Sequence, residues 1–354
     1  AAAQEERFTR IKHDPAFPTN AVRYCLSEAG VQLSDLDAIV FYDKPLLKME
    51  RLLETYYAFS PKGLYSFLTA IPVWLKEKMF LKRMLYDELF AIQKFDKKQV
   101  KLLFPEHHLS HAASAFYPSP FEDAAILTLD GVGEWATASI GHGKGKQLSI
   151  LKELKFPHSL GLLYSAFTYF LGFKVNSGEY KLMGLAPYGR HGSLEVEKYK
   201  TLIREVLVKI KPDGSIWLNQ DYFNYATGLR MVHDAKWEAL FGFPTRESES
   251  NLEQKHCDLG LAIQEITEEI VILMAQEAKQ LTGSKACVLA GGVALNCVAN
   301  GKLKDAGIFE SIFIQPAAGD AGGALGAALA AHYIYFDQAR VVDTTRMDAM
   351  SGSY

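Results

Sequence analysis

The sequence has no surplus of basic residues: 38 Lys and Arg stand against 41 Asp and Glu, for a formal charge of −3. A general grip on nucleic-acid phosphates or anionic lipid calls for the opposite balance, so no nucleic acid is expected as a partner and the ligands are expected to be small molecules. Cysteine is scarce. Cys25, Cys257, Cys287 and Cys297 show no CxxC spacing, which excludes a zinc ribbon or disulfide scaffold and suits reduced thiols in a cytoplasm. Cys287 and Cys297 flank an AGG turn and are read as buried core thiols. No apolar run approaches the ~20 residues that span a bilayer, so no membrane partner is expected. The opening AAAQEERFTRIKHD has neither a basic nor an apolar leader region and is not read as a signal peptide. GxGxxG, GxxxxGK[ST] and HExxH are all absent, which removes the motif basis for a Rossmann, P-loop or zinc-peptidase reading.

What is present is a globular α/β pattern. With 354 residues, 49% of them apolar, the chain exceeds the ~250–300 residues at which single cores stop growing, so two lobes are expected. These are placed at 1–255 and 256–335, with 336–354 as an unpacked linker. Helix 20–33 leads into a short strand at 39–41; residues 46–98 form a helical insertion broken at Pro61 and Pro72; VKLLF (100–104) is a strand. Pro105 is expected in the first turn of a helix that runs to Pro118. AAILTLD (124–130) is a buried strand followed by two hairpin strands, and helix 159–171 precedes a polar loop, NSGEYKLMGLAPYGR. SESNLEQKH reads as a link before a long amphipathic helix, 259–281, ended by Gly283. Strand, helix, strand and helix then alternate through KACVLAGG, VALNCVANGKLKDAG, SIFIQP and GDAGGALGAALAAHYI, indicating a mainly parallel layer.

Within EHHLSHAA (106–113), His107 and His111 stand four apart and share a helix face, whereas His108 turns about 100° away. HxxxH is a spacing that metal sites use, although a helix also carries histidines without a metal. Further ligands would be needed. Asp130 in LTLDGVGE and Asp320 in QPAAGDAGG each stand beside glycines after an apolar segment, where an aspartate also serves simply to cap a turn. Two imidazoles and two carboxylates suit Fe²⁺, Zn²⁺ or Mn²⁺ better than Mg²⁺. Three glycine-rich turns, DGVGE, AGGVALN and GDAGGALG, offer close backbone approach and helix N-termini to a phosphate, or tight packing corners. Gly131, Gly133, Gly291, Gly292 and Gly319 are their candidate contacts, with Gly178 in the polar loop. Glu179 and Lys181 stand in that loop before apolar residues; Lys181 could pair with a phosphate or a carbonyl, with a solvated lysine as the alternative.

Taken in order, HHLSHAASAFYPS, LTLDGVGEW, SGEYKLMGLAPYGR, LAGGVALNCVANGKL and QPAAGDAGGALGAAL resemble the O-carbamoyltransferase family, which includes nodulation and antibiotic-biosynthesis carbamoyltransferases. That family is similar in its large domain to the tRNA threonylcarbamoyl-transfer proteins. The resemblance implies the actin, sugar-kinase and Hsp70 ATPase fold, in which two α/β lobes close on a nucleotide. It implies a divalent metal, Fe²⁺ favoured, on His107, His111, Asp130 and Asp320, and nucleotide contacts from Gly291, Gly292 and Asn296. Glu179 and Lys181 would approach the reacting centre; His108 joins them as a candidate catalytic residue. ATP and carbamoyl phosphate would supply carbamoyl adenylate, and a small-molecule or sugar hydroxyl would accept the carbamoyl group, in a possible homodimer.

Relatives of this kind open with a further strand and hairpin and continue into a smaller, YrdC-like domain. The chain is therefore expected to be a fragment, incomplete for the full reaction. Two alternatives stay open: a tRNA threonylcarbamoyl-transfer protein, and an ATPase or interaction module of the same fold. The histidine pair weighs against the second, because such ATPases hold Mg²⁺ through water and carboxylates.

Overall fold

A computed structural model describes residues 1–69, 72 and 80–350. The elements are α1 (Glu6–Thr9), α2 (Thr19–Ala29), β1 (Ala38–Val40), α3 (Pro45–Phe59), α4 (Leu81–Ile92), β2 (Lys101–Leu103) and α5 (His107–Phe116). There follow β3 (Asp123–Leu129), β4 (Ala136–Lys144), β5 (Gln147–Lys155), α6 (Leu160–Phe170), α7 (Glu179–Leu185), α8 (Leu194–Leu202), β6 (Val208–Ile210), β7 (Ile216–Leu218) and α9 (Asp234–Phe241). The chain continues with α10 (Gln254–Thr282), β8 (Ala286–Ala290), α11 (Cys297–Asp305), β9 (Ser311–Ile314) and α12 (Gly323–Ala330).

The central sheet has the order β5-β4-β3-β8-β9. β3, β8 and β9 run parallel, whereas β4 and β5 are antiparallel hairpin strands, so the sheet is mixed. β8 is apolar throughout, and β3 apart from Asp123 and Thr128, because both their faces are covered. Ala124, Ile126, Val288 and Ala290 pack on Ala112–Phe116 of α5. Ala125, Leu127, Leu129, Cys287 and Leu289 point the other way, into a core built with α6 and α10. The sheet draws strands from both sides of the boundary expected at residue 255, since Ala125–Thr128 pair with Cys287–Ala290. β1 and β2 form a separate parallel pair.

Several local expectations change. The polar loop is helical over Glu179–Leu185, because the Glu179 carboxylate receives the free backbone N–H groups of Asn176 and Gly178 at the helix start. Gln254–His256, expected within a link, already belong to α10, where Glu253 and His256 cap the first turn reciprocally. Pro105 lies outside α5, which begins at His107. α3 ends at Phe59, ahead of Pro61 as expected, and the neighbours of Pro72 lie outside the described residues. Cys297 is exposed rather than buried, while Cys287 is buried as expected. The segment read as unpacked linker is pinned near its start: the Arg340 guanidinium donates to the carbonyls of Phe116, Tyr117, Ser119, Phe121 and Gly145.

Candidate metal centre

Because β3, β8 and β9 are parallel, their carboxyl ends open on one edge, and the three glycine-rich turns leave from that edge. Asp130 follows β3, Gly291 and Gly292 follow β8, and Gly319 and Asp320 follow β9. The turns are tied together: Gly291 N–H donates to the Ala318 carbonyl (2.7 Å) and Gly292 N–H to Asp130 Oδ1 (3.0 Å). Gly291 has φ +93°, and a Cβ there would stand 2.3 Å from the Leu129 carbonyl oxygen, so the approach of the turns requires glycine.

α5 lies across this edge and presents two imidazoles. His107 Nε2 is 3.1 Å from His111 Nε2, 3.0 Å from Asp130 Oδ2 and 3.5 Å from Asp320 Oδ1. His111 Nε2 is 3.8 Å from Asp130 Oδ2 and 3.5 Å from Asp320 Oδ1. Two atoms each ~2.1 Å from an ion lie about 3.0 Å apart at a right angle and about 3.4 Å apart at the tetrahedral angle. The four donor atoms, all within 4.8 Å of one another, therefore fit a small divalent cation. Both histidines and Asp130 are buried, and the Asp320 side chain keeps 61% of its surface, so the cluster is open on that side.

Electrostatics within the cluster is strongly coupled. Burial opposes ionisation of Asp130, but the two imidazoles outweigh it and hold its carboxyl well below the usual range. Asp320 is lowered too, against burial, mainly by His111. Burial disfavours charge on His111, yet its contacts to the two aspartates raise it to about 9. The outer nitrogens, His107 Nδ1 and His111 Nδ1, have no partner among the described residues. Packing orients the His107 ring instead, between Tyr42 at 5.6 Å and Gly133, where a Cβ would come within 3.1 Å of the histidine.

The family model for the carbamoyltransferase N-terminus matches residues 1–329. The chain belongs to the carbamoyltransferase family. It is 56% identical to the uncharacterized protein sll1178 of Synechocystis over all of this chain and 56% of that protein. It is 39% identical to the nodulation protein NolNO of Sinorhizobium fredii over 93% of this chain and 44% of that one. The chain thus spans about half the length of the curated relatives it matches. A crystal structure of T. kodakarensis HypF overlaps 73% of this chain and 39% of its own at TM-score 0.35 and 17% identity, a level that does not establish a shared fold.

The other candidate residues of this carbamoyltransferase-family chain take different places. His108 is 3% exposed, and its Nδ1 meets the hydroxyls of Thr128 (2.9 Å) and Ser139 (3.1 Å). Burial lowers its pKa to about 3, and neither ring nitrogen contacts the cluster, so the neutral ring ties α5 to β3 and β4. Glu179 is engaged at the start of α7, accepting also from Ser165 Oγ (2.8 Å), and Lys181 is exposed on that helix. Asn296 caps α11 through Ala299 N–H and exchanges hydrogen bonds with Gln264 of α10, which occupies its side chain. Gly178 sits in a tight turn, where a Cβ would stand 2.7 Å from the Lys174 carbonyl oxygen. Gly131 accepts from Ser159 Oγ through its carbonyl (2.6 Å). The space beside Gly131 is open, and the nearest atom to a Cβ on Gly319 is Leu295 Cδ1 at 3.6 Å.

Two supporting residues escaped sequence reasoning. Buried Glu134 accepts from the backbone N–H groups of His107 (3.0 and 3.2 Å) and Lys44 (2.7 Å), so it caps both α5 and α3. Arg51 of α3 donates to the Gly133 carbonyl, and burial lowers its pKa to about 10 against the attraction of Glu134. The acidic end of DGVGE is a sequence signal for a cap, but its target 27 residues earlier is not.

Proposed function

We propose that this chain is the transferase portion of an O-carbamoyltransferase that moves a carbamoyl group from carbamoyl adenylate to a hydroxyl of a small-molecule or sugar acceptor. The observation that carries the reading is the convergence of His107, His111, Asp130 and Asp320 at the edge where three glycine turns meet, in a chain of this family. These four residues would hold a divalent ion; the donor set suits Fe²⁺, Zn²⁺ or Mn²⁺, and the family resemblance favours Fe²⁺. Such an ion supplies Lewis acidity toward a phosphate or carbonyl oxygen.

The chain's own contribution is position and exclusion. The Gly291–Gly292 and Gly319–Asp320 turns provide close backbone approach for the adenylate phosphate, and Glu134 and Arg51 fix α5 and α3 around them. In the transfer, the acceptor oxygen bonds to the carbamoyl carbon while the bond from that carbon to the phosphate oxygen breaks. AMP leaves with the electron pair, and the hydroxyl proton goes to solvent. Carbamoyl adenylate itself would come from carbamoyl phosphate and ATP in the longer parent protein.

Elemental analysis of chain purified without chelator tests the centre. His107→Ala and His111→Ala are each expected to weaken metal binding by more than the ~10–100-fold that loss of a supporting residue costs; stoichiometric metal in both would sink the assignment. A parent protein given carbamoyl phosphate, ATP and candidate alcohols is expected to release AMP and pyrophosphate. ADP as the sole nucleotide product would point to an ATPase instead.

A further inference from the structure

Tyr42 stands beside the four-residue cluster with a hydroxyl that the fold leaves free. The segment that carries it leaves the carboxyl end of β1 and is pinned at three points. Phe41 N–H donates to the Leu103 carbonyl (2.9 Å), Ser110 Oγ of α5 donates to the Tyr42 carbonyl (2.9 Å), and Lys44 N–H donates to Glu134 (2.7 Å). The ring is held as well. It meets the His107 ring at 5.6 Å between centroids, and a Cβ on Gly323, which opens α12, would stand 2.8 Å from Tyr42 Cδ2. Tyr42 is thus wedged between the helix that carries the two imidazoles and the helix that follows Asp320.

The phenol itself is uncommitted. Tyr42 is half-buried and its oxygen keeps accessible surface, whereas His107 Nδ1 and His111 Nδ1 are sealed in. No described residue hydrogen-bonds to that oxygen, although Asp320, Asp43, Asp130 and Glu134 lie near enough to act on it, Asp320 most strongly. Each of these carboxylates is engaged elsewhere. Asp43 pairs with Lys48, Glu134 accepts from two backbone N–H groups, and Asp130 and Asp320 face the histidines. The phenol proton therefore remains for a ligand on the Asp320 side, where the cluster is open.

A phenol, with an ordinary pKa of ~10, is a donor rather than a base at neutral pH. We propose that Tyr42 is a substrate-contacting residue whose O–H donates a hydrogen bond to the carbonyl oxygen of the carbamoyl group being transferred, an inference that rests on the metal-centre and carbamoyl-transfer reading above. That oxygen gains negative charge as the acceptor hydroxyl adds to the carbamoyl carbon and gives it up as AMP leaves. A donor already fixed in place by α5 and α12 stabilises the charged stage more than the ground state. No proton is passed from the phenol; the hydrogen bond only strengthens and relaxes.

The contact can be read without any turnover. The chain is loaded with Co²⁺, and its visible absorption is followed during titration with phosphonoacetamide, which carries a carboxamide, and with methylphosphonate, which lacks one. Tyr42→Phe, which keeps the wedged ring, is expected to retain Co²⁺, to bind phosphonoacetamide ~3–10-fold more weakly, as loss of one hydrogen bond predicts, and to bind methylphosphonate as the unaltered chain does. Equal weakening of both ligands, weakening of neither, no response of the unaltered chain to phosphonoacetamide, or loss of Co²⁺ from Tyr42→Phe each overturns the contact. Failure of the underlying reading looks different: an unaltered chain that takes up no Co²⁺ removes the metal centre and the contact with it, and intact ligand selectivity with no AMP released by the parent protein removes the transfer reaction.

Discussion

Asp258 has no exposed side-chain surface, yet it is held ionised on α10. Burial favours its neutral form, but Arg190 outweighs that through its backbone N–H (2.9 Å), Nε (3.2 Å) and Nη2 (2.6 Å), and Gln254 adds a further donor at 3.0 Å. The folded pKa is thus below the unfolded value of about 3.9. A depressed carboxyl contributes stability that is present above the unfolded value and lost as pH falls through the folded one. Denaturant midpoints should therefore decline below about pH 4 in the parent chain, whereas Asp258→Asn should start lower at pH 7 and lose less on acidification; equal acid limbs would remove Asp258 from the account. At this scale the sequence spoke unevenly. His107 and His111 were legible because helical spacing alone puts them on one face. His108 stood in the same stretch, but only the sheet beneath it, with Thr128 and Ser139 underneath, reveals that its ring is an anchor.

α5 depends on the elements around it, since its two imidazoles are useful only at one depth and rotation. α12 packs directly against it: a Cβ on Gly326 would stand 1.7 Å from the Ser110 carbonyl oxygen, whereas one on Gly301 in α11 would meet nothing within 4 Å. The two glycines should respond oppositely to alanine. Gly326→Ala is expected to destabilise by ~1–3 kcal/mol or more through overpacking and to reduce bound metal, because α5 must shift. Gly301→Ala should stabilise by ~0.5–1 kcal/mol through helix propensity alone; thermal unfolding with metal analysis checks both. Most elements were readable from periodicity, including the apolar β3 and the long α10. α7 was not, because it starts inside a polar, glycine-punctuated stretch on Glu179, whose carboxylate accepts from the N–H groups of Asn176 and Gly178 and also from Ser165 of α6.

Across the whole molecule, pairing of β3 with β8 joins segments about 160 residues apart and brings the Asp130, Gly291 and Asp320 turns to one edge. The C-terminal segment returns to the same unit through Arg340, whose guanidinium stacks over Phe116 at 4.1 Å and donates to five carbonyls around the end of α5. Arg340→Ala should release residues 336–350, raising their amide exchange at least 10-fold while β3 and β8 stay protected; unchanged exchange there would mean that other contacts hold the segment. Local pattern was enough for the α/β class, the histidine pair and the turn glycines, because periods of two and 3.6 residues and glycine's backbone freedom act within a few positions. The ordered motifs were likewise enough for the family. That Asp130 and Asp320 face those histidines, that Asn296 and Glu179 are occupied as caps, and that Glu134 closes two helices all depend on which strands lie side by side. Such pairing is set by burial on both faces of a mixed sheet, an energy shared among residues far apart in the chain and therefore carried by no short stretch of it.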